Sequence, residues 1–407
     1  MTGIRKVDVL LRFDETEIRV GQLVLDRREV LFKYNDTYLA NGFNLSPIRL
    51  SFDNSIQTGP PSPFNGLFGV FSDSIPDAWG RLLIKRKLAA QQIAIESLNS
   101  LDYLMFVGSN GPGSLKYRPT VAEDLPEQKT IDLDALNEGA ARVMEGESSE
   151  VIDDIFDVGG SPGGARPKVY AGYDSTSDSL IHGWEQLPEK HTHWIIKFAA
   201  NVDAEDIANR EMAYHRMALD AKIEMTECRL FTGRSGKTYF GTERFDRIRN
   251  NRIHMISAAG MFHDDYEHSQ MDYGTLLHEA GRLINDARVD EQIFRRAVFN
   301  VYAHNRDDHS KNFAFLMDPT GNWRFAPAYD LTFSSSSQGM HSTTVARNGV
   351  NPGKKELMSL AEHFSIRKGE QIIEEVREVI QEWRGYAERE GVTKNSIDAI
   401  GAVLKRI

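Results

Sequence analysis

The stretch that decides the fold of this chain is His304-Asn-Arg-Asp-Asp-His-Ser-Lys-Asn-Phe313, followed by a second acidic position at Tyr329-Asp330. It offers a carboxylate at Asp307, an amide five positions later at Asn312, and a further carboxylate at Asp330. Phosphoryl transfer from a nucleotide needs a group that orients the attacking hydroxyl. It also needs hard oxygen ligands for the magnesium ions that neutralise the phosphates. The stretch therefore predicts a phosphoryl-transfer site of the kind that kinases use.

The segment between these acidic positions predicts a β-hairpin. Residues 312–317 alternate and are rich in aromatic and aliphatic side chains, Asp318-Pro-Thr-Gly321 has the composition of a tight turn, and residues 323–326 resume a strand. Paired strands bring their outer ends together. Asn312 at the start of the first strand and Asp330 just past the second are therefore expected to lie close together and to share one or two metal ions.

Two other interpretations compete with this one. Asp, Asn and His residues after a helix often serve as caps and turns, and an Asp-x4-Asn pattern alone has little specificity. A metal-dependent phosphohydrolase is the sharper rival, because Asp308-His309 and His263-Asp264 are pairs of residue types that bind divalent cations. Such sites are usually built on helices, whereas Asp308-His309 leads into a strand-turn-strand pattern, which favours the kinase.

The composition indicates a globular protein of the reducing cytoplasm. At 407 residues, with 41% hydrophobic and 26% charged residues, the chain is long enough for about two or three domains with their own cores. Cys228 is the single cysteine, which excludes a disulfide framework and predicts a buried structural thiol. A formal net charge of −11 argues against direct binding of nucleic acid over a broad surface, and no stretch has the length of a membrane span.

Three regions of different pattern follow one another along the chain. Short alternating runs between Val7 and Phe52 predict a small antiparallel sheet, and the polar segment Thr120 to Lys129 marks a boundary. Beyond Ser269 the pattern is mostly helical. We predict an α+β, bilobal, protein-kinase-like fold with a β-rich N-terminal subdomain at residues 1–119, an N-lobe at 120–246 and a mainly helical C-lobe at 247–407.

Helical periodicity predicts individual elements within these regions. They are Ala78 to Leu98, Leu133 to Met144, Phe294 to Tyr302 and Glu370 to Tyr386. The helix at Phe294 to Tyr302 would give the loop at Asp307 a rigid support. In the last helix, Ile373, Val376, Ile380 and Trp383 share one face, which predicts a core contact.

A glycine-rich segment, Phe156-Asp-Val-Gly-Gly-Ser-Pro-Gly-Gly-Ala-Arg-Pro-Lys-Val-Tyr170, predicts a phosphate-binding loop. Glycines let backbone amides approach phosphate oxygens, and Lys168 can add a positive charge. Downstream, Lys197 interrupts an apolar strand, and a buried ammonium needs a counter-charge. Glu211 can supply it from the following helix, Asp206 to Ala221, since a strand lysine paired with a helix glutamate is how kinases hold nucleotide phosphates.

A strand at Tyr239-Phe-Gly-Thr-Glu-Arg-Phe-Asp246 ends where a kinase passes from its β-rich lobe to its helical lobe. Backbone groups of Glu243 to Phe245 could pair with adenine at that crossing. Each of these elements alone is weak evidence for a kinase, since glycine-rich turns and solvated lysines are common. Their order predicts the kinase: glycine-rich loop, lysine, glutamate, hinge, Asp-x4-Asn loop, hairpin and final Asp.

With these residues assembled, the chain resembles the HipA family of bacterial serine/threonine kinases, the toxins of HipBA-type toxin–antitoxin systems, over nearly its whole length. The motifs that carry the resemblance are Ser74-Ile-Pro-Asp-Ala-Trp-Gly-Arg81, Phe106-Val-Gly-Ser-Asn-Gly111, Ser161-Pro-Gly-Gly-Ala-Arg-Pro-Lys168, Glu243-Arg-Phe-Asp-Arg247, Asp307-Asp-His-Ser-Lys-Asn312 and Ala328-Tyr-Asp330. The resemblance implies that the bilobal fold is of the HipA type.

The resemblance also implies roles for single residues. Asp307 would be the catalytic base, and Asn312 and Asp330 would bind Mg²⁺. Only Asp307 of the doubled acid keeps the spacing to Asn312. Ser161 would be the serine whose autophosphorylation inactivates the kinase, because an added phosphate would repel the nucleotide phosphates. The implied ATP site consists of Gly163, Gly164, Ala165, Arg166, Lys168, Lys197, Glu211, Glu243, Phe245, His309 and Tyr329.

By resemblance, the protein would be a cytoplasmic toxin that transfers the γ-phosphate of ATP to a serine or threonine of a bacterial protein substrate. A small HipB-like helix-turn-helix antitoxin would neutralise it and connect it indirectly to operator DNA. Two alternatives stay open. One is a weakly catalytic ATP-binding co-repressor, and the other is a small-molecule phosphotransferase, since acceptor recognition lies in loops without a readable code.

Overall fold

A computed structural model of the chain describes residues 3–120, 130–146, 164–183, 185–200, 202–284, 286, 288–336 and 339–405. Strands dominate its N-terminal half and helices its C-terminal half. The predicted α+β class is therefore confirmed. Ser161 and Gly163 lie outside the described residues.

An antiparallel sheet forms the N-terminal subdomain. Its strands are β1 (Lys6–Arg12), β2 (Glu17–Asp26), β3 (Glu29–Tyr34), β4 (Gln57–Thr58) and β5 (Leu115–Arg118), in the order β4-β3-β2-β1-β5. Its helices are α1 (Asp36–Asn41), α2 (Gly69–Ser72), α3 (Ala78–Ala90) and α4 (Ser100–Val107). The predicted sheet is confirmed. The helix predicted for residues 78–98 ends earlier, because Gln92 has a φ of 60° that a right-handed helix cannot continue.

A second antiparallel sheet follows. Its strands are β6 (Lys168–Asp174), β7 (Ser179–His182), β8 (Thr192–Lys197), β9 (Cys228–Thr232) and β10 (Thr238–Glu243), in the order β7-β6-β8-β10-β9. Helix α5 (Leu133–Glu145) precedes the sheet, and α6 (Ile207–Asp220) connects β8 to β9. Both helices were predicted from periodicity and are confirmed to within about one residue of their ends.

The C-terminal part combines short strands with helices. The strands are β11 (Arg247–Ile248), β12 (Asn251–Arg252), β13 (His254–Ser257), β14 (Ala314–Met317) and β15 (Trp323–Phe325). The helices are α7 (Ala258–Phe262), α8 (Tyr273–Leu283), α9 (Arg288–Tyr302), α10 (Lys354–His363), α11 (Gly369–Gln381), α12 (Trp383–Arg389) and α13 (Lys394–Leu404). The predicted hairpin is confirmed as β14 and β15, with Phe315 opposite Phe325. Asn312 lies in a 3-10 turn, Ser310–Asn312, just ahead of β14.

The C-terminal helices bury the face that the sequence predicts. Ile373, Val376, Ile380 and Trp383 are all buried. Burying one such aliphatic side chain stabilises the fold by about 1.5–3 kcal/mol. The single helix predicted for this segment is two helices, since α11 ends at Gln381 and Glu382 caps both.

The glycine-rich turn after α4 binds the segment that follows β10. The N–H of Gly113 donates to Oδ2 of Asp246 at 2.7 Å, and Arg247 donates to the Gly113 carbonyl at 2.9 Å. Gly113 has a φ of 70°, and a Cβ there would approach the backbone N of Met255 to 2.8 Å. The N-terminal subdomain therefore packs directly on the predicted hinge. The predicted limits at residues 119 and 246 stay predictions.

Two histidines of the C-terminal part hold the N-terminal subdomain. His263 accepts a hydrogen bond at Nε2 from the N–H of Gly69 at 2.9 Å. His254, fully buried, contacts the carbonyl of Leu45 through Nε2 at 3.0 Å. Burial lowers the pKa of His254 to about 4, and burial together with Arg49 lowers the pKa of His263 to about 4. Both rings are therefore neutral near pH 7.

Stability is expected to fall as pH drops from about 6.5 to about 4. The unfolded chain takes up protons on these histidines at about pH 6.5, whereas His254 and His263 in the folded protein resist protonation down to about 4. The stabilisation is therefore present above pH 6.5 and is lost as pH falls. For the fully buried His254 the loss is on the order of 2 kcal/mol. Urea unfolding at pH 7.0 and 5.0 measures it.

The variant His263→Gln is the control for this pH effect. Glutamine can accept the hydrogen bond from Gly69 but does not titrate. We expect the difference in unfolding free energy between pH 7.0 and 5.0 to be smaller in this variant than in the wild type. An unchanged difference would remove His263 from the explanation.

No helix in the described part of the chain has the length and apolar character needed to cross a membrane. Cys228 is buried, as predicted, and its thiol contacts the carbonyl of Thr226.

Candidate functional site

Lys197 stands at the centre of the candidate site. Its Nζ donates to Oε2 of Glu211 on α6 at 2.6 Å and forms a second ion pair with Asp330. The side chains of Lys197 and Glu211 are 11% and 5% exposed. Burial alone would lower the pKa of Lys197, but Asp330 and Glu211 outweigh it, so the pKa is raised and the ammonium stays charged. The structure thus brings together the lysine and glutamate that the sequence paired, and adds a carboxylate of the C-lobe.

Asp330 occupies a constrained position after the hairpin. Its φ of 58° lies in the left-handed region, which aspartate tolerates better than most side chains. Lys197 lowers the pKa of Asp330 strongly, against the effect of burial, and Lys168 acts in the same direction. The carboxylate is therefore ionised and faces the lysines of the second sheet.

Backbone bonds join the loop that carries Asp307 to the segment after Asp330. Ser334 donates to the carbonyl of His304 at 3.0 Å, and Arg306 donates to the carbonyl of Ser334 at 3.1 Å. The ring of His304 also stacks on Phe333 with centroids 5.2 Å apart. The segment just before Asp307 is thus held against the segment just after Asp330.

Asp307 is exposed but partly desolvated by the surrounding protein. This desolvation raises its pKa, and the like charge of Asp330 adds to the rise, whereas His309 and Arg166 oppose it. The side-chain amide of Asn312 donates to the backbone carbonyl of Asp307 at 2.7 Å. That bond joins the two ends of the Asp-x4-Asn loop. It uses the side-chain nitrogen of Asn312 and leaves the side-chain oxygen out of the contact.

Asp308 has a different environment from its neighbour. It is 1% exposed, and its carboxylate receives hydrogen bonds from Tyr273, His341 and the N–H groups of Ser342 and Thr343 at 2.9–3.2 Å. A carboxylate with four protein donors holds the loop in place. Asp307, by contrast, is exposed, so of the two aspartates only Asp307 is accessible from outside.

The pair His263-Asp264, which suggested a phosphohydrolase, makes structural contacts. The carboxylate of Asp264 accepts hydrogen bonds from Ser269 and Ser310 at 2.7 and 2.5 Å, and His263 accepts one from the backbone. Among the residues that the structure describes, no three His, Cys, Asp or Glu side chains gather as a group that could hold a metal ion. These contacts account for His263 and Asp264, and those of Asp308 account for the carboxylate of the other pair.

The glycine-rich segment brings a second lysine to the site. Lys168 and Lys197 lie directly opposite one another on β6 and β8. Burial and the charge of Lys197 lower the pKa of Lys168, while Asp330 opposes them. A Cβ at Gly164 would collide with Nζ of Lys168, so glycine lets the backbone come close to this ammonium. Like charges placed opposite on a sheet repel, and the carboxylate of Asp330 offsets this repulsion.

The rest of the predicted ATP site is placed as follows. Arg166 forms a bidentate ion pair with Asp203, with contacts of 2.8–3.1 Å, and Ala165 beside it is exposed. His309 lies beside the ring of Tyr266, with centroids 5.7 Å apart, and its Nδ1 is buried without a hydrogen-bond partner.

The predicted hinge is only partly available for adenine. The N–H of Glu243 donates to Glu227 and that of Arg244 to His193, at 2.9 and 2.8 Å. These bonds within the protein occupy two of the three backbone N–H groups of residues 243–245. The predicted contact with adenine is therefore left to Phe245. The ring of Phe245 packs on Tyr329 with centroids 5.3 Å apart.

One contributor is absent from the sequence-based prediction. Asp77, just before α3 of the N-terminal subdomain, accepts a hydrogen bond from the N–H of Gly164 at 2.7 Å and forms an ion pair with Lys311. An Asp before a helix is usually a cap. Nothing local to the sequence links it to the site, although it lies in the motif Ser74 to Arg81.

Comparisons with known proteins cover both halves of the chain. Residues 13–118 match the family described as the HipA N-terminal domain, and residues 160–383 match the family described as the HipA-like C-terminal domain. A curated protein of Sinorhizobium fredii, named "Putative kinase Y4mE", is 25% identical over an alignment of 338 positions that covers 77% of this chain and 74% of that protein.

A solved structure shows the same fold. It is the complex of HipA, HipB and operator DNA from Shewanella oneidensis MR-1, in which the matched chain has a TM-score of 0.66 and 15% identity. The match covers 98% of this chain and 95% of that one. The bilobal kinase-like fold of HipA type is thus confirmed, and, with both family regions matched in order, the chain belongs to the HipA family.

Proposed function

We propose that the chain is an ATP-dependent protein serine/threonine kinase that acts as the toxin of a type II toxin–antitoxin module. The observation that carries this proposal is the contact of Lys197 with both Glu211 and Asp330. A strand lysine held by a helix glutamate of one lobe and reached by a carboxylate of the other is the arrangement that protein kinases need for nucleotide phosphates and their metal ions.

The residues present fit ATP and Mg²⁺. Lys168 and Lys197 offer two ammonium groups on adjacent strands, and Phe245 offers a ring and backbone groups at the hinge. Asp330 and the amide oxygen of Asn312 are hard ligands of the type that Mg²⁺ prefers. When bound, ATP supplies the phosphoryl group and Mg²⁺ offsets the negative charge of the phosphates.

Asp307 is the residue that we assign to the acceptor hydroxyl. As a carboxylate it can accept a hydrogen bond from a serine or threonine hydroxyl and then its proton, and its exposed position leaves it accessible to an acceptor. Partial desolvation and Asp330 raise its pKa, which makes it a better proton acceptor than an ordinary surface aspartate. Asn312 holds the backbone of Asp307 from the other end of the loop.

The partner that we propose is a HipB-like helix-turn-helix antitoxin, which would bring the protein to operator DNA. The likeness of the fold to the HipA chain of the Shewanella complex supports this proposal. The net charge of −11 also suits contact with DNA through a partner better than direct contact. We further propose that a bacterial protein is the phosphate acceptor.

Incubation of the purified protein with radiolabelled ATP and Mg²⁺ tests the function, and we expect label on the protein itself. Ser161→Ala is expected to reduce self-labelling at least tenfold while phosphate transfer to other proteins continues, because the removed hydroxyl is the proposed acceptor and not part of the catalytic loop. Phosphopeptide mass spectrometry checks the modified position. Ser177→Ala, a loop serine between β6 and β7, is the matched control.

The outcomes separate the proposal from its rivals. Label that persists in Ser161→Ala at other positions would contradict the role of Ser161. Failure of the wild type to transfer phosphate to any protein, together with growth of cells that express it without the antitoxin, would favour the co-repressor. Transfer to small molecules alone would favour a small-molecule phosphotransferase.

A further inference from the structure

Asp77 occupies a helix N-terminus without capping it. It precedes α3, yet its side chain makes no hydrogen bond to that helix. Its Oδ2 instead accepts the N–H of Gly164 at 2.7 Å, and the N–H of Trp79 donates to the carbonyl of Gly164 at 3.3 Å. The start of α3 therefore holds the peptide groups on both sides of Gly164, just ahead of Arg166 and Lys168.

The other oxygen of Asp77 reaches the catalytic loop. Oδ1 forms an ion pair with Lys311, and the two side chains are 13% and 15% exposed. Lys311 lies next to Asn312 in the chain, its Nζ stands 4.3 Å from the ring centroid of Tyr266, and its carbonyl accepts the hydroxyl of Tyr329 at 2.6 Å. Lys311 is thus fixed at both its backbone and its side chain.

Charge and burial make this contact strong. Burial would raise the pKa of Asp77, but Lys311 and the N–H of Gly164 outweigh it and the pKa is lowered. The carboxylate of Asp77 is therefore ionised at neutral pH, and it meets the ammonium of Lys311 where both side chains are largely buried and solvent screens them little. A carboxylate that only capped α3 would need neither partner.

We propose that Asp77 is a positioning residue of the kinase site, which holds Gly164 of the glycine-rich segment and Lys311 of the catalytic loop at a set distance from one another. This inference rests on the proposed function. It makes the N-terminal subdomain a part of the phosphate-binding site, since the residue that joins the two loops comes from neither lobe. Its effect is on the phosphate-bearing part of the nucleotide and not on the adenine contact.

Binding of ATP and of adenosine tests the proposal, with calorimetry on the full-length protein in Mg²⁺. Asp77→Ala is expected to weaken ATP binding about tenfold to a hundredfold, the range for loss of a charge-assisted contact, while adenosine binding changes less than about twofold. Asp77→Asn keeps an acceptor for Gly164 but loses the charge, so we expect its affinity for ATP to lie between those of the wild type and Asp77→Ala. The double variant with Lys311→Met and Asp77→Ala should lose less ATP-binding free energy than the sum of the losses in the two single variants.

Asp102→Ala is the matched control. Asp102 is a buried carboxylate in the same subdomain that accepts from the N–H groups of Ile4 and Asn99, so its loss destabilises the subdomain without touching either loop. We expect it to lower the thermal midpoint and to leave the ratio of ATP to adenosine affinity unchanged. An equal effect of Asp77→Ala on both ligands, or a ratio like that of Asp102→Ala, would overturn the positioning role. Absence of ATP binding and phosphate transfer in the wild type would instead overturn the proposed function.

Discussion

Asp307→Asn is expected to lower phosphate transfer by about a hundredfold to ten-thousandfold, while the affinity for ATP changes less than about threefold. The amide keeps the size and the accessible position of the side chain but cannot take up the proton of an acceptor hydroxyl. Lys168 and Lys197, the ammonium groups that we propose face the phosphates, are untouched. Initial rates and calorimetric ATP binding, measured on the same preparation, give the two numbers.

The pH dependence of the wild type adds to this prediction. Asp307 must be ionised to accept a proton, so activity should be present at neutral pH and lost as pH falls through its pKa. Partial desolvation and Asp330 hold that pKa above the ordinary value of 3.8. In the Asp307→Asn variant, the residual activity should not show this fall at acidic pH.

Asp318→Asn provides the control for Asp307→Asn. It is the same substitution on the hairpin turn, where the carboxylate only accepts hydrogen bonds from Thr320 and Asn322. We expect its transfer rate to stay within about twofold of the wild type, as for a surface position away from the site. Wild-type activity in Asp307→Asn would contradict the assignment of the base.

Local pattern explains why so much of the fold could be predicted. The hairpin of β14 and β15 follows from alternation and turn composition, and periodicity predicts the C-terminal end of α9, although that helix begins at Arg288 and not at Phe294. The pairing of Lys197 with Glu211 could also be predicted, because a buried ammonium requires a counter-charge and the next helix carries a glutamate on its inner face. In each case the deciding interaction is between neighbours in the chain or between consecutive elements.

Contacts between distant segments explain what could not be predicted. Asp77 and Lys311 are separated by 234 positions, and no spacing rule connects an aspartate before one helix to a lysine in a remote loop. The bond from Gly113 to Asp246 is of the same kind, since it joins the turn after α4 to the end of the strand predicted at Tyr239 to Asp246, and neither pattern points to the other. Such partners are chosen by tertiary packing, and a single sequence carries no record of it.

The role of Asp308 could not be predicted for the same reason, and replacing Asp308 has the largest expected effect on stability. The sequence shows two adjacent aspartates, and spacing alone separates them. In the structure, Asp308 receives hydrogen bonds from Tyr273, His341 and two backbone N–H groups, whereas Asp307 is exposed. Tyr273 is itself bonded to Asn300 of α9 at 2.8 Å, so Asp308 connects the loop to the helix that supports it.

Asp308→Ala is therefore expected to lower the free energy of unfolding by at least about 3 kcal/mol, because four buried donors lose a charged acceptor at once. Asp307→Asn, one position away, is the matched comparison and should change it by less than about 0.5 kcal/mol, since its side chain is accessible. Urea unfolding of both variants at pH 7.0 measures the difference. Equal stability of the two variants would contradict this division of roles. An unstable Asp308→Ala variant beside a stable but inactive Asp307→Asn variant would establish that Asp308 stabilises the loop and that Asp307 takes part in phosphate transfer.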